Sequence, residues 1–148
     1  MLLPLLNTGN NSALAKFESN FFTNDPLRSN SFYPEMELIY DSLHLEKIGL
    51  KKEAFNYAYT GYKKLEEEGV LNKEGLITIC DFSQSSKRKR LYLIDLNECK
   101  LLLNTYVAHG RNSGGEYARK FSNRPESRQS SLGFTELKQH IGVGMVLP

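Results

Sequence analysis

Side chains capable of chemistry first gather in this chain where an apolar run ends in a histidine and a glycine-rich turn. Asn104-Thr105-Tyr106-Val107-Ala108-His109 is followed at once by Gly110, Arg111, Asn112, Ser113, Gly114 and Gly115. Glycines permit positive φ and close backbone approach, so N–H groups here could cradle an anion or line a substrate groove, with Arg111 as a fixed cation. The alternative is a strand-exit loop held by its own hydrogen bonds. The segment lacks the Gly-Lys-Ser/Thr of a phosphate loop and the spacing of a dinucleotide fingerprint. A second polar segment, Phe121 to Phe134, brings hydroxyl, amide and guanidinium groups ahead of Leu132-Gly133-Phe134, with Ser130, Ser131 and Gly133 as candidates to join the first. Together the two segments are expected to form the rim of a polar pocket.

His109 could act as a general base, since an imidazole titrates near neutrality, but a base needs a nucleophile within reach. The two cysteines offer little. Cys80 falls inside an apolar run, where a free thiol behaves as a small apolar group, and Cys99 sits in a tight turn between Glu98 and Lys100. Neither has the spacing of a zinc ligand pair, so no metal site and no cofactor are expected, and a Cys80–Cys99 disulfide is not expected either. Lys87-Arg88-Lys89-Arg90 is the densest basic run. It could contact nucleic acid, but no aromatic residues alternate with the cations, and a solvated hairpin tip is the simpler expectation.

The chain has 148 residues, 40% hydrophobic and 24% charged, with a net charge of +2. That suits one ordinary globular domain and does not by itself call for nucleic acid. No run approaches the roughly 18 to 20 apolar residues that span a bilayer. Met1 to Leu6 is apolar but has no basic flank, at most the remnant of an export signal. Residues 1–34 are expected to be a poorly ordered leader.

A helical hairpin is expected over 35–69. Pro34 and the acidic Glu35 and Glu37 suit a helix start. Leu38, Ile39, Leu43 and Ile48 form a helical stripe that stops at Gly49. A second stripe, Ala54, Phe55, Ala58, Tyr59, Tyr62 and Leu65, ends at Gly69, with the Lys and Glu residues mostly off it as a solvated face. From Gly75 the period becomes that of strands. Leu76–Phe82, Arg90–Leu96 and Leu101–His109 predict an antiparallel meander with a hairpin at Leu96–Lys100. The fold class expected is α+β.

From about Leu38 to Phe134 the chain resembles the murein L,D-transpeptidase catalytic domain family, of the YkuD type. The resemblance rests on Asn104 to Tyr117 and Ser127 to Phe134, with Ile39–Leu43, Lys52–Phe55 and Ile94–Leu96 in the same order. It implies a mostly β domain preceded by helices, working in the bacterial envelope or periplasm on peptidoglycan stem peptides through a cysteine acyl-enzyme. The family's thiol lies in a Ser-x-Gly-Cys-Pro segment, and its activating histidine in a second His-Gly segment. Neither motif occurs in this sequence, and His109 belongs to the family's earlier His-Gly loop, so no catalytic role carries over to a residue here.

Residues 75–134 are therefore expected to be the first part of the β domain, with an incomplete antiparallel sheet and apolar faces at Leu91, Leu93, Leu101 and Leu103 partly uncovered. Residues 135–148 depart from the family's pattern. Codons for Lys138 to Pro148, shifted from the third base of the Lys codon, can spell the family's continuation, so a frameshift is an expectation that the gene sequence can test. The expected function is that of a truncated L,D-transpeptidase-like protein without activity. The alternatives are a non-catalytic peptidoglycan-binding envelope module, and a basic-tip nucleic-acid-binding protein.

Overall fold

The computed structural model describes residues 33–69, 71, 75–136 and 143–148. The expected leader and the Met1–Leu6 segment lie outside these residues, apart from the last two positions, 33 and 34. Helix α1, Tyr33–Ser42, begins with Pro34 in its first turn, and helix α2 spans Lys52–Glu67.

The first helix stops at Ser42 rather than at Gly49. Residues 43–49 are turns, and His44 takes a left-handed φ of 49°. This break lets Leu45 and Leu50 turn fully into the core. Their burial outweighs the local stripe that would have continued the helix, and Leu38, expected on the buried face, is 69% exposed. The second stripe behaves as anticipated: Phe55, Ala58, Tyr59, Tyr62 and Leu65 are all buried. The helices meet through the Tyr40 and Phe55 rings, 5.6 Å between centroids, and a Lys52–Glu37 ion pair of 2.6 Å. The charged residues of α2 are thus partly engaged rather than a purely solvated face, since Lys63 also pairs with Glu66.

Five strands follow: β1 Leu76–Asp81, β2 Leu91–Asp95, β3 Lys100–Thr105, β4 Gly133–Glu136 and β5 Val143–Leu147. β1, β2 and β3 form the expected antiparallel meander, with a bulge between Leu93 and Ile94. The sheet as a whole is mixed, which corrects the antiparallel expectation. Its order is β3-β2-β1-β5-β4, with β5 parallel to β1 and β4 antiparallel to β5. Residues 143–147 therefore occupy an interior position of the sheet, and the architecture does not end at Phe134. β1 demands this arrangement, because its Ile77, Thr78, Ile79 and Asp81 are buried and a central strand needs partners on both edges.

The helices cover the face carrying Ile77, Ile79, Tyr92 and Ile94, all fully buried. Leu101 packs partly against this core, whereas Leu102 and Leu103 on edge strand β3 are 44% and 47% exposed. Phe134 closes the core from β4 against Gly61 of α2. A Cβ on Gly61 would lie 1.8 Å from the Phe134 ring. Gly61→Ala should therefore destabilise the fold by about 1–3 kcal/mol through overpacking, despite alanine's better helix propensity. Urea unfolding measures this. A gain in stability would mean that the helix and β4 are not in this contact.

Candidate functional site

β2 enters from a loop that ends at Arg90, and the alternation of the strand fixes where that side chain goes. Residues 90, 92 and 94 face the same side, and Arg90 is as fully buried as Tyr92 and Ile94. Its guanidinium then has to find acceptors inside the protein. Nη1 donates to the Gln84 carbonyl (2.8 Å), while Nε and Nη2 donate to the Val107 carbonyl (3.2 and 3.0 Å). The plane lies over Phe82, 4.7 Å from the ring centroid. Burial lowers the pKa of the group, with Cys80 and Asp81 opposing that shift. Arg90 is thus not part of a solvated tip, and this corrects the reading of Lys87–Arg90. Lys87 is engaged as well, in a 2.8 Å ion pair with Glu116.

Arg90 also sets the state of His109. Nη2 lies 2.8 Å from His109 Nδ1, and a guanidinium can only donate, so Nδ1 is the unprotonated acceptor. The ring proton is then on Nε2, 3.2 Å from the Gly114 carbonyl, which accepts it. With both nitrogens engaged and the ring edge-on to Phe82 at 6.0 Å, His109 ties the strand exit to the following turn.

The two polar segments are joined by hydrogen bonds between 110–113 and 127–130. Arg111–Ser113 forms one turn of 3-10 helix, with Ser113 fully buried. The Ser113 hydroxyl oxygen accepts from Ser130 N (2.8 Å), and the Ser130 hydroxyl oxygen accepts from Gly110 N (2.9 Å). Asn112 N donates to Arg128 O, and its side-chain amide to Ser127 O, both at 2.9 Å. Gly110 is required at this crossing, since a Cβ there would lie 2.6 Å from Arg128 O and 2.8 Å from Ser130 N. Gly114, at φ 150°, permits the turn toward Tyr117.

Other candidates stand apart. Tyr106 is 60% exposed, Arg111 projects to solvent, and exposed Ser131 donates to Ser122 O at 3.3 Å. Gly133 lies buried in β4 at φ 120°. Beneath the loops, Ser85 and Lys87 hold Glu116, and Lys87 foremost keeps that carboxyl below its usual range while its own pKa rises.

Neither thiol joins this assembly, and both are free. Burial pushes Cys80 up to about 11, with Arg90 pulling the other way, while Cys99 is exposed at a left-handed φ of 46°. Iodoacetamide at neutral pH should therefore modify Cys99 and spare Cys80. Because the thiolate is the reactive form, the Cys80 rate should rise about tenfold per pH unit between 8 and 10. Rapid labelling of Cys80 at pH 7 would contradict its half-buried, protonated state. Among the described residues no three His, Cys, Asp or Glu side chains converge as a metal site, and no helix is long and apolar enough to cross a membrane.

Sequence reasoning missed Arg90, Gln84 and Phe82 as organisers of the site. The signal was available for Arg90 alone, in the two-residue step from Ile94 through Tyr92.

Fold and site together define an α+β domain, in which helices back a mixed sheet and two interlocked loops form a polar rim beyond β3. Residues 46–144, about two thirds of the chain, match the L,D-transpeptidase catalytic domain, and the protein belongs to that family. The family is associated with the cell envelope and with peptidoglycan. No curated protein and no solved structure matches the chain.

Proposed function

We propose that this polypeptide forms the substrate-side scaffold of an L,D-transpeptidase-type domain in the bacterial envelope, holding peptidoglycan stem peptides along the rim of the 109–115 and 121–131 loops. The observation that carries the proposal is the pair of cross-loop bonds, Ser130 N to Ser113 Oγ and Gly110 N to Ser130 Oγ, next to the part-buried Arg90–His109 contact. It gives an exposed polar surface a rigid base, which is what peptide recognition requires of a loop.

The 148-residue polypeptide performs no acyl transfer in this proposal. Cys80 is a half-buried strand thiol whose pKa is pushed up, Cys99 is in a hairpin turn at the other end of β3, and His109 has both nitrogens occupied. The test is to incubate the polypeptide with stem peptide, measure its intact mass, and sediment it with purified murein. Co-sedimentation with unchanged mass is expected. A stable adduct on either cysteine would overturn the non-catalytic assignment, and absence of co-sedimentation would overturn the substrate-side role.

A further inference from the structure

The second loop of the rim lines a shallow, open dish of about 610 Å³ running from Phe121 to Gln129. Among the described residues, cavities of about 390 and 260 Å³ lie at α1 and the turns after it, away from both loops.

The donors in the larger dish are unbalanced in a telling way. Ser122 Oγ accepts from Arg124 N (3.1 Å), and Ser127 Oγ accepts from Gln129 N (3.3 Å). Each hydroxyl thus uses its oxygen on the backbone, and neither O–H has an acceptor among the described residues. With the exposed Arg124 guanidinium on the same wall, the dish presents two hydroxyl protons and a planar cation. That donor set matches a carboxylate.

Charge and backbone agree. Residues 109–131 carry five cations, Arg111, Arg119, Lys120, Arg124 and Arg128, against Glu116 and Glu126, and Glu116 is already held by Lys87. The net positive charge of the whole chain therefore resides in this segment. Glu126 and Arg128 adopt left-handed φ of 60° and 55°, where glycine would be easier, so the loop keeps charged side chains at a conformational cost. Glu126 on the wall, two residues from Arg124, offers a partner for an ammonium group.

We infer that the 121–129 dish binds the charged end of a peptide, Arg124 with Ser122 and Ser127 taking its free carboxylate and Glu126 taking a neighbouring ammonium. This rests on the substrate-side role proposed above and names the part of the stem peptide that is recognised.

The test is amide chemical-shift titration of the full chain with a stem peptide bearing a free carboxylate, with the same peptide amidated, and with trialanine as a non-murein carboxylate. Shifts should centre on residues 122–129, and amidation or Arg124→Gln should weaken binding about tenfold or more. Ser122→Ala and Ser127→Ala should each weaken it severalfold, while Lys100→Gln, at the far end of β3, should leave it unchanged. Equal binding of the amidated peptide, or shifts outside this loop, would overturn the inference. If murein still sediments Arg124→Gln as well as the original chain, the dish is not the recognition site although the substrate-side role stands. If trialanine and the stem peptide bind the dish but murein does not sediment the protein, the carboxylate site stands and the substrate-side role falls.

Discussion

Arg90→Ala should lower the folding free energy by about 3 kcal/mol or more and loosen the 107–114 loop. The substitution leaves the part-buried Gln84 and Val107 carbonyls without their donor, at a cost of up to about 1–3 kcal/mol each, and opens a void beside Phe82. Against a typical total of about 5–15 kcal/mol this is a large share. Arg90→Lys should recover only part of the loss, because an ammonium cannot span carbonyls that a planar fork reaches together. Urea unfolding gives the magnitude, and hydrogen exchange at 107–114 gives the location. Faster exchange confined to those residues is expected in the Lys variant. A nitrogen-15 spectrum of the ring should show His109 leaving its single tautomer once Nδ1 loses its donor. A stability change under about 0.5 kcal/mol in Arg90→Ala, the level of an ordinary surface substitution, would show that the guanidinium does not organise the site.

The second large effect is expected at Gly110, and its origin is steric rather than conformational. Gly110 has φ −57° and ψ 143°, which alanine adopts readily. The obstacle is backbone: the Arg128 carbonyl and Ser130 nitrogen stand 2.6 and 2.8 Å from where a Cβ would be. Neither can swing aside as a flexible side chain would. Gly110→Ala should force the loops apart, break the Gly110–Ser130 and Asn112–Arg128 bonds, and destabilise by about 1–3 kcal/mol. Murein co-sedimentation should fall with it. Gly115→Ala is the matched comparison, since no atom lies within 4 Å of a Cβ there, and it should behave as the unmodified protein. Equal behaviour of the two variants would mean that the loops are not in contact at Gly110.

Much of this architecture follows from local pattern. The stripe from Phe55 to Leu65 has helical spacing, and burying it requires no knowledge of the partner. The β-rich runs before and after the 83–90 loop pair because a short connection leaves antiparallel neighbours as the simplest solution. That the His109–Gly115 and Phe121–Gln129 segments are loops rather than strands was also legible, since glycine, serine and asparagine are frequent in them.

Where local pattern failed, distant parts of the chain made the decision. The stripe through Leu43 and Ile48 favoured a longer α1, yet burial of Leu45 and Leu50 turned the chain through a left-handed His44. The place of Val143–Leu147 beside β1 depends on pairing across more than sixty residues, which no short window contains. Arg90 shows the physical reason most directly. In sequence it is the last of four cations, and a cation run is ordinarily solvated. In the fold it stands one step before a buried strand face, with carbonyl acceptors contributed by Gln84 and Val107 and a ring nitrogen by His109. Residue types and their alternation establish which groups are polar and which strand faces differ. Which polar groups can be buried depends on acceptors that meet the guanidinium in space after the chain has folded.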